Sequence, residues 1–306
     1  MIPAARLAEF LAPLTVSEFF ADYYEQKPAV MTGYPDRARG LLDLDRFLAA
    51  IASPGKRQGK VQADIEHLRC EPLTLEALRS YVAAGHPILW NGARGVTPEI
   101  DDCLGDLARA LDARVWPNVY STGREDSPFG MHFDAHEVLA LQVEGRKEWA
   151  ISSVRADRPL DAPPYKTDFL AELHGRRDEA EREILMTQVL GPGDVLYLPR
   201  GQFHSAVALD SRSLHVTFGI EPLTGYDVLE TLVRVALKHR DFRAFFPPAS
   251  IDLDGRQNRD HLAALAERIV QLIQSGALDA GVRALQEQRR EAAKRLISDQ
   301  FPAQSH

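Results

Sequence analysis

The spacing of hydrophobic residues predicts alternating helices and strands in the first hundred residues. Thr15 and Glu18 have the three-residue spacing of a capping box, which begins a helix that Pro28 should end. Thr97 followed by Pro98 is a further helix start, because proline lacks an N–H where a helix does not need one. The other predicted elements here are helices over 44–51 and 75–82 and short strands near 61 and over 88–90. We interpret this half as an α/β support.

Between residues 114 and 221 the pattern changes to short runs of β-branched and aromatic residues, separated by glycine, proline or charged turns. Many short strands must cover their edges, which favours a closed or double-sheet β structure. Glu144-Gly145 is interpreted as a hairpin turn. The predicted strands cover 115–120, 138–143, 147–151, 184–190, 195–198, 204–208 and 214–220.

The segment 157–183 is rich in prolines and charged residues, with a short helix predicted over 169–173. We interpret it as an insertion that covers a pocket or, alternatively, as a solvated connector.

After Pro222 the pattern is helical, with one apolar stripe from Leu262 to Leu272 and a second that begins at Leu278. These stripes need a partner surface, either the β domain or a second copy of the chain, and we favour a homodimer. The expected division is therefore 1–221 and 222–306.

Composition narrows the class of protein. The 306 residues carry a formal net charge of −8, which disfavours direct nucleic-acid binding; the basic cluster of Lys56, Arg57 and Lys60 is interpreted as a solvated loop. Cys70 and Cys103 are too few for a disulfide framework or a cysteine-based zinc site. No signal peptide or long apolar run is evident. We therefore expect a cytoplasmic protein with no membrane span.

Two distant segments carry candidate metal ligands. His132 and Asp134 form an H-x-D triplet, whose side chains leave the same face of an extended backbone. His204 ends the segment G-x5-P-x-G-x2-H, which begins at Gly193 and resembles the second sequence motif of cupin barrels. Two imidazoles and one carboxylate leave coordination positions open, as in non-haem iron(II) oxygenases.

A basic residue after the Glu144-Gly145 turn adds a second element. Lys147, if it lies near an iron, could neutralise the distal carboxylate of 2-oxoglutarate. Arg146 is its neighbour and points the opposite way in a regular strand. Alternation alone does not decide which of the two points inward, and both could lie at the surface.

Taken together, these segments resemble the cupin-like Jumonji C oxygenases, in particular their ribosomal-oxygenase branch. The resemblance extends over most of 16–221 and implies an α+β fold with a double-stranded β-helix (cupin or jelly-roll) core, an N-terminal α/β support and C-terminal helices. The matching segments are Glu25-Gln26-Lys27-Pro28, Pro117-Asn118-Val119-Tyr120, His132 to Val138, Gln142, Gly145 to Trp149, Gly193 to His204, and Ser213 to Thr217.

The resemblance assigns roles residue by residue. His132, Asp134 and His204 match the iron ligands, and Lys147 matches the residue that binds 2-oxoglutarate. His136 and His215 fit a structural or supporting role better than direct ligation. Positions that line the same pocket are matched by Asn118, Tyr120 and Thr217; Tyr120 could equally be a core aromatic residue and Thr217 an ordinary strand residue.

The implied activity is that of an iron(II)- and 2-oxoglutarate-dependent dioxygenase that consumes dioxygen and hydroxylates a protein or peptide side chain. A basic ribosomal protein is one expected substrate, and another protein, a peptide or a small molecule are alternatives. The ribosomal-oxygenase branch has a dimerising helical region and then a winged-helix-like module, whereas the residues after Glu221 suffice for the helices and little more. Rival interpretations are a zinc or manganese cupin that acts as an isomerase or hydrolase, and a non-catalytic binding module.

Overall fold

A computed structural model describes most of the chain. In 60–63, 166, 167, 169 and 292–298 only the backbone is described, so the basic cluster of Lys56, Arg57 and Lys60 lies outside the described side chains. Cys70 also lies outside the described residues, while Cys103 is a buried free thiol. The described ranges are 5–53, 60–63, 74–124, 129–161, 166–248, 250–252 and 254–298.

The N-terminal part has the predicted alternation of helices and strands. Its elements are α1 (Ala5–Leu11), α2 (Val16–Asp22), β1 (Ala29–Met31), a 3-10 helix (Pro35–Ala38), α3 (Leu44–Ala52), β2 (Lys60–Ala63), α4 (Leu75–Ala83), β3 (Ile88–Asn91) and α5 (Pro98–Leu111).

The starts of these helices follow the sequence more closely than their ends. The Thr15 hydroxyl accepts a hydrogen bond from Glu18 N at 3.1 Å, and the Glu18 carboxylate accepts one from Thr15 N at 2.8 Å, which completes the predicted capping box. The prediction that α2 runs to Pro28 is wrong. The helix ends at Asp22, and Glu25 adopts a φ of +57°, which an α-helix does not contain.

The other strands of the described residues follow α5. They are β4 (Ala113–Thr122), β5 (Glu137–Glu144), β6 (Lys147–Arg155), β7 (Ile184–Leu190), β8 (Val195–Leu198), β9 (Gln202–Ala208) and β10 (Ser213–Pro222).

Within the described residues these strands form two facing sheets. The larger sheet has the order β1-β8-β5-β10-β4-β3-β2, and the smaller has β7-β6-β9. A core cluster joins Val138 and Ala140 of the larger sheet to Trp149 and Ile151 of the smaller one. Two sheets that share one core and alternate along the chain form the double-stranded β-helix that was expected. The prediction of an α+β fold is confirmed.

The interpretation of Glu144-Gly145 as a hairpin turn is wrong. The strand before it, β5, pairs with β8 and β10, whereas β6 after it pairs with β7 and β9. The chain therefore crosses from one sheet to the other at this turn. Turn residues indicate that the backbone reverses direction, but they do not determine which strands form hydrogen bonds with each other.

The segment between β6 and β7 folds into two helices, α6 (Lys166–Gly175) and α7 (Arg177–Arg182). Only α6 was predicted, and as a shorter helix. Ala180 of α7 is fully buried against Met131, Phe133 and Phe203. Through Ala180, this part of the insertion packs against the segment that carries the H-x-D triplet.

Two compact units comprise Met1–Glu221 and Pro222–Lys294. The second contains α8 (Gly225–Ala236), a 3-10 helix (Arg240–Arg243) and α9 (Arg256–Gln274), and α10 (Ala277–Ser298) begins in it. Among the described helices, none is both long and apolar enough to cross a membrane.

Candidate metal centre and its pocket

Strand-like alternation around the H-x-D triplet separates its apolar and polar side chains. Met131 and Phe133 are buried in a hydrophobic cluster, while His132, Asp134 and His136 line a pocket. Successive side chains of an extended backbone point to opposite faces, so one short segment both anchors itself and presents three polar groups.

An antiparallel bridge brings the two halves of the candidate site together. His132 N donates to His204 O at 2.9 Å, and His204 N donates to His132 O at 2.7 Å. Residues paired in this way project their side chains on the same face. The two imidazole rings consequently lie with their centroids 4.4 Å apart, although 72 positions separate them in the chain.

The proline-glycine turn before His204 is held by backbone contacts that require glycine. Gly201 has a φ of +83°, donates to Asp134 O at 2.8 Å, and leaves only 2.3 Å between a Cβ at this position and Ala156 O. Gly193, at the start of the same motif, has a φ of +85° and would place a Cβ 2.2 Å from Tyr34 O. The motif glycines therefore allow close backbone packing that fixes the direction of His204.

Backbone carbonyls select the tautomer of both histidines. His132 Nδ1 lies 3.0 Å from Gly130 O, and His204 Nδ1 lies 2.9 Å from Gln202 O. A carbonyl only accepts, so Nδ1 carries the proton and Nε2 is left with a free lone pair. His204 Nε2 is 3.7 Å from Asp134 Oδ2.

The donor set suits a divalent transition metal. Ligand atoms of His132, Asp134 and His204 all lie within 4.8 Å of one another. Two neutral imidazoles and one carboxylate are the ligands of facial iron(II) sites, and such a set occupies one side of the ion. The three side chains thus fit an ion that keeps positions open toward the pocket.

Electrostatics keep these groups in the forms that bind a metal. Burial, together with the proximity of His132, lowers the pKa of His204 to about 4. Burial alone would raise the pKa of Asp134, but His136, His132 and His204 outweigh it and hold that pKa below its usual value. At neutral pH the site therefore offers a neutral imidazole at His204 beside a carboxylate.

Lys147 is the inward-pointing residue of the pair that alternation left open. Its side chain is 2% exposed and lines the pocket, which has a volume of about 290 Å³. Arg146 instead lies at the surface, where its guanidinium pairs with Asp210 at 2.9 Å. A cation buried in a cavity is costly unless something compensates its charge, so an anionic ligand suits this position.

The other expected pocket residues are also brought together here. Asn118, Tyr120 and Thr217 all line the cavity. Asn118 Oδ1 accepts a hydrogen bond from Gly92 N at 2.9 Å, which orients its amide. Burial raises the pKa of Tyr120, and the charge of Asp134 raises it further, so the hydroxyl stays protonated.

His136 and His215 lie in the same pocket and are held by aromatic rings. The His136 ring contacts Trp116 edge to face at 4.7 Å. The His215 ring stacks on Tyr120 at 4.6 Å, with only 10° between their planes. Neither belongs to the group of three close ligand atoms found among the described residues.

A family comparison matches this part of the chain. Residues 90–228 match the family described as "JmjC domain". This segment, which contains the three candidate ligands, is therefore similar to JmjC domains.

Two named relatives match the chain over different shares of its length. A Rattus norvegicus protein named "Ribosomal oxygenase 1" is 31% identical, over 98% of this chain and 52% of its own length. A Drosophila melanogaster protein named "Bifunctional lysine-specific demethylase and histidyl-hydroxylase NO66" is 35% identical, over 43% of this chain and 19% of its own length. The chain thus spans about half or less of the length of these relatives.

The fold of the chain resembles that of a solved ribosomal oxygenase. The Escherichia coli protein YcfD, described as a ribosomal oxygenase in complex with cobalt and 2-oxoglutarate, aligns with a TM-score of 0.58 at 16% identity. The alignment covers 87% of this chain and 68% of that chain. At this identity the comparison supports a common fold.

Some of the residues that line the pocket were not identified from the sequence. Trp149 and Ala206 follow Lys147 and His204 by two positions on β6 and β9, so alternation alone could have found them. Asn91 reaches the pocket because it pairs with Asn118 across β3 and β4. Phe129 is 43% exposed beside His132, and no pattern in the sequence singles it out.

Proposed function

We propose that this protein is an iron(II)- and 2-oxoglutarate-dependent dioxygenase that hydroxylates a protein or peptide side chain. One observation carries the proposal: two imidazoles and a carboxylate converge in a pocket that also contains a buried lysine. The names of the relatives, which include ribosomal oxygenase and histidyl-hydroxylase, support the same reaction class.

Each proposed role follows from a side chain's position. His132, Asp134 and His204 would hold the iron through two Nε2 atoms and one carboxylate oxygen. The Lys147 ammonium would bind the distal carboxylate of 2-oxoglutarate, with Asn118, Tyr120 and Thr217 lining the same cavity. When bound, iron supplies the oxidative chemistry in which dioxygen and 2-oxoglutarate are consumed and a substrate C–H bond is hydroxylated.

A ribosomal protein is the first candidate for the substrate. The relatives named ribosomal oxygenase support this choice. The net charge of −8 favours a basic partner, as many ribosomal proteins are. Since the chain spans only part of its relatives, other proteins or peptides are the alternatives to be tested.

We also propose that the protein is a cytosolic homodimer. Leu229 and Val233 of α8 and Leu237, the residue that caps its C-terminal end, are each at least half exposed, and their spacing of four places them on one helix face. An aliphatic stripe of this kind is stabilised by a second copy of itself. The low cysteine count supports the cytosolic location.

The decisive experiment measures chelate formation in the absence of dioxygen. Metal-free protein is mixed anaerobically with iron(II) and then with 2-oxoglutarate, and the weak visible charge-transfer band of the chelate is recorded. We expect the band with the unaltered protein and its loss in His132→Ala and Asp134→Ala, because each substitution removes one of the three ligands. His174→Ala, at an exposed histidine of α6, is the matched control and should retain the band.

Other outcomes would contradict the proposal. If the protein binds a divalent metal but the spectrum of the metal does not change when 2-oxoglutarate is added, it is a zinc or manganese cupin of another class. A chelate without succinate formation in the presence of any ribosomal protein or peptide indicates a binding module. Full retention of the band in both ligand variants would refute the assigned iron ligands.

A further inference from the structure

Lys147 has a second pocket residue as a neighbour. Its Nζ lies 3.3 Å from Nδ1 of His215, and both side chains are buried, with exposures of 2% and 5%. The two residues are on different sheets, β6 and β10, so their contact spans the interior of the barrel. It is therefore a tertiary contact that no local sequence pattern encodes.

The chemistry of the two groups determines the direction of the hydrogen bond. An ammonium has three N–H donors and no acceptor, so His215 Nδ1 must be the unprotonated nitrogen of the ring. Burial lowers the pKa of His215 well below its usual value, and the charge of Lys147 lowers it further. The ring is thus a neutral acceptor, and it engages one of the three donors.

Aromatic contacts hold the His215 ring in place. Tyr120 stacks on one face at 4.6 Å, and Trp149 meets the ring edge to face at 5.6 Å with 84° between the planes. A ring held in this way keeps Nδ1 at a fixed point in the pocket. A long lysine side chain would otherwise lose more conformational entropy when it binds a ligand.

We infer that His215 is a positioning residue, which holds the Lys147 ammonium in the orientation that binds the distal carboxylate of a 2-oxo dicarboxylic acid. The inference deepens the proposed function and rests on it. It assigns His215 to selectivity for 2-oxoglutarate over 2-oxo acids that lack a second carboxylate, since only that carboxylate reaches Lys147. The role is distinct from metal ligation.

The test compares the binding of two probes to the manganese(II)-loaded protein. 2-Oxoglutarate has the distal carboxylate, and 2-oxobutyrate has the same 2-oxo acid end without it. We expect His215→Phe, which keeps an aromatic ring but removes the acceptor, to weaken 2-oxoglutarate binding about tenfold, as loss of a hydrogen bond to a charged group does. Binding of manganese(II) and of 2-oxobutyrate should be unchanged. Lys147→Met should remove the difference between the two probes, and adding His215→Phe to it should have no further effect.

A second pair of variants makes the test independent of the bulky ring. Asn and Leu have similar shapes, but only Asn offers an oxygen close to the position of Nδ1. His215→Asn should therefore bind 2-oxoglutarate about tenfold more tightly than His215→Leu. Equal affinities in this pair, or an unchanged 2-oxoglutarate affinity in His215→Phe, would overturn the role of His215 alone. Failure of the unaltered manganese(II) protein to bind 2-oxoglutarate would instead overturn the proposed function and this inference with it.

Discussion

Asp101 is a carboxyl group that the fold buries within α5. Its Oδ1 accepts a hydrogen bond from Gly95 N at 3.1 Å, while its Oδ2 lacks a hydrogen-bond partner within the described part of the chain. Burial raises the pKa of Asp101 from 3.8 to about 6. The folded protein consequently holds this proton more tightly than the unfolded chain does.

This pKa shift predicts a pH-dependent contribution to stability. Because the folded pKa is the higher one, the contribution is largest below about pH 4 and falls as pH rises toward 6. Asp101→Asn cannot ionise, so the free energy of unfolding of the unaltered protein should decline relative to the variant by about 1–2 kcal/mol across this window. Chemical denaturation at several pH values measures it. Parallel stability curves for the two proteins would contradict the assignment.

At the same scale, Lys147 illustrates what alternation can and cannot decide. Alternation correctly indicated that Arg146 and Lys147 point to opposite sides. Alternation does not indicate which of the two side chains points inward, because that depends on the Asp210 carboxylate at the surface and on the pocket in the interior. The buried cation is favoured only where a ligand or a polar neighbour such as His215 compensates it.

At the scale of elements, Arg37 ties the N-terminal support to the barrel. Its guanidinium donates to four backbone carbonyls: those of Glu9 at 2.9 Å, Ala12 at 2.7 Å, Met31 at 3.2 Å and Gly193 at 2.8 Å. These carbonyls belong to α1, to the turn after it, to β1 and to the turn that begins the second metal-site motif. One buried side chain therefore joins four segments of the chain.

Removal of this guanidinium should destabilise the first unit. We expect Arg37→Met to lower the free energy of unfolding by about 3 kcal/mol or more, since it leaves several buried carbonyls without a donor. Arg39→Met is the matched control: its side chain is 79% exposed and pairs only at the surface with Asp36, so the change should be within about 0.5 kcal/mol. Urea denaturation followed by tryptophan fluorescence measures both. Equal losses of unfolding free energy in the two variants would show that the buried hydrogen bonds of Arg37 do not stabilise the first unit.

The connection between β5 and β6 shows how element pairing escapes local reasoning. The strands were predicted within a few residues, and their turn was recognised, yet their pairing as a hairpin was wrong. Both strands are apolar on the face toward the shared core, so their sequence is compatible with either pairing. The choice follows from the closure of two facing sheets, which is a property of the whole domain.

For the whole molecule, the proposed homodimer gives a direct prediction. A charge in the exposed stripe of α8 should oppose its burial, so Leu229→Glu combined with Val233→Glu should convert the dimer to a monomer without loss of helical content. Analytical ultracentrifugation measures the mass, and circular dichroism the helix. Lys238→Glu, at an exposed position just past the end of α8, introduces the same charge and should leave the dimer intact.

Two results would count against this assembly. If the unaltered protein is monomeric at micromolar concentration, the proposed dimer is refuted. A dimer that persists in the double variant would show that another surface holds the copies together.

The sequence by itself determined the types of most elements, many of their starts, and the candidate ligands His132, Asp134 and His204. These follow from short-range physics: a capping box, a proline at a helix start, alternation along strands, and a spaced glycine motif that forces one backbone path. The same physics explains the early end of α2 only after the structure is known, since Glu25 carries no signal for a left-handed conformation.

Only the tertiary structure decided which sheet each strand joins, where the insertion packs, and which cation lies inside. It also brought His215 to Lys147 across the barrel, and His204 opposite His132. These outcomes depend on contacts between residues far apart in the chain, where the free energy of closing one shared core outweighs local preference. Side-chain periodicity tells which face is apolar, and the identity of the surface that covers that face is settled only when the entire domain is packed.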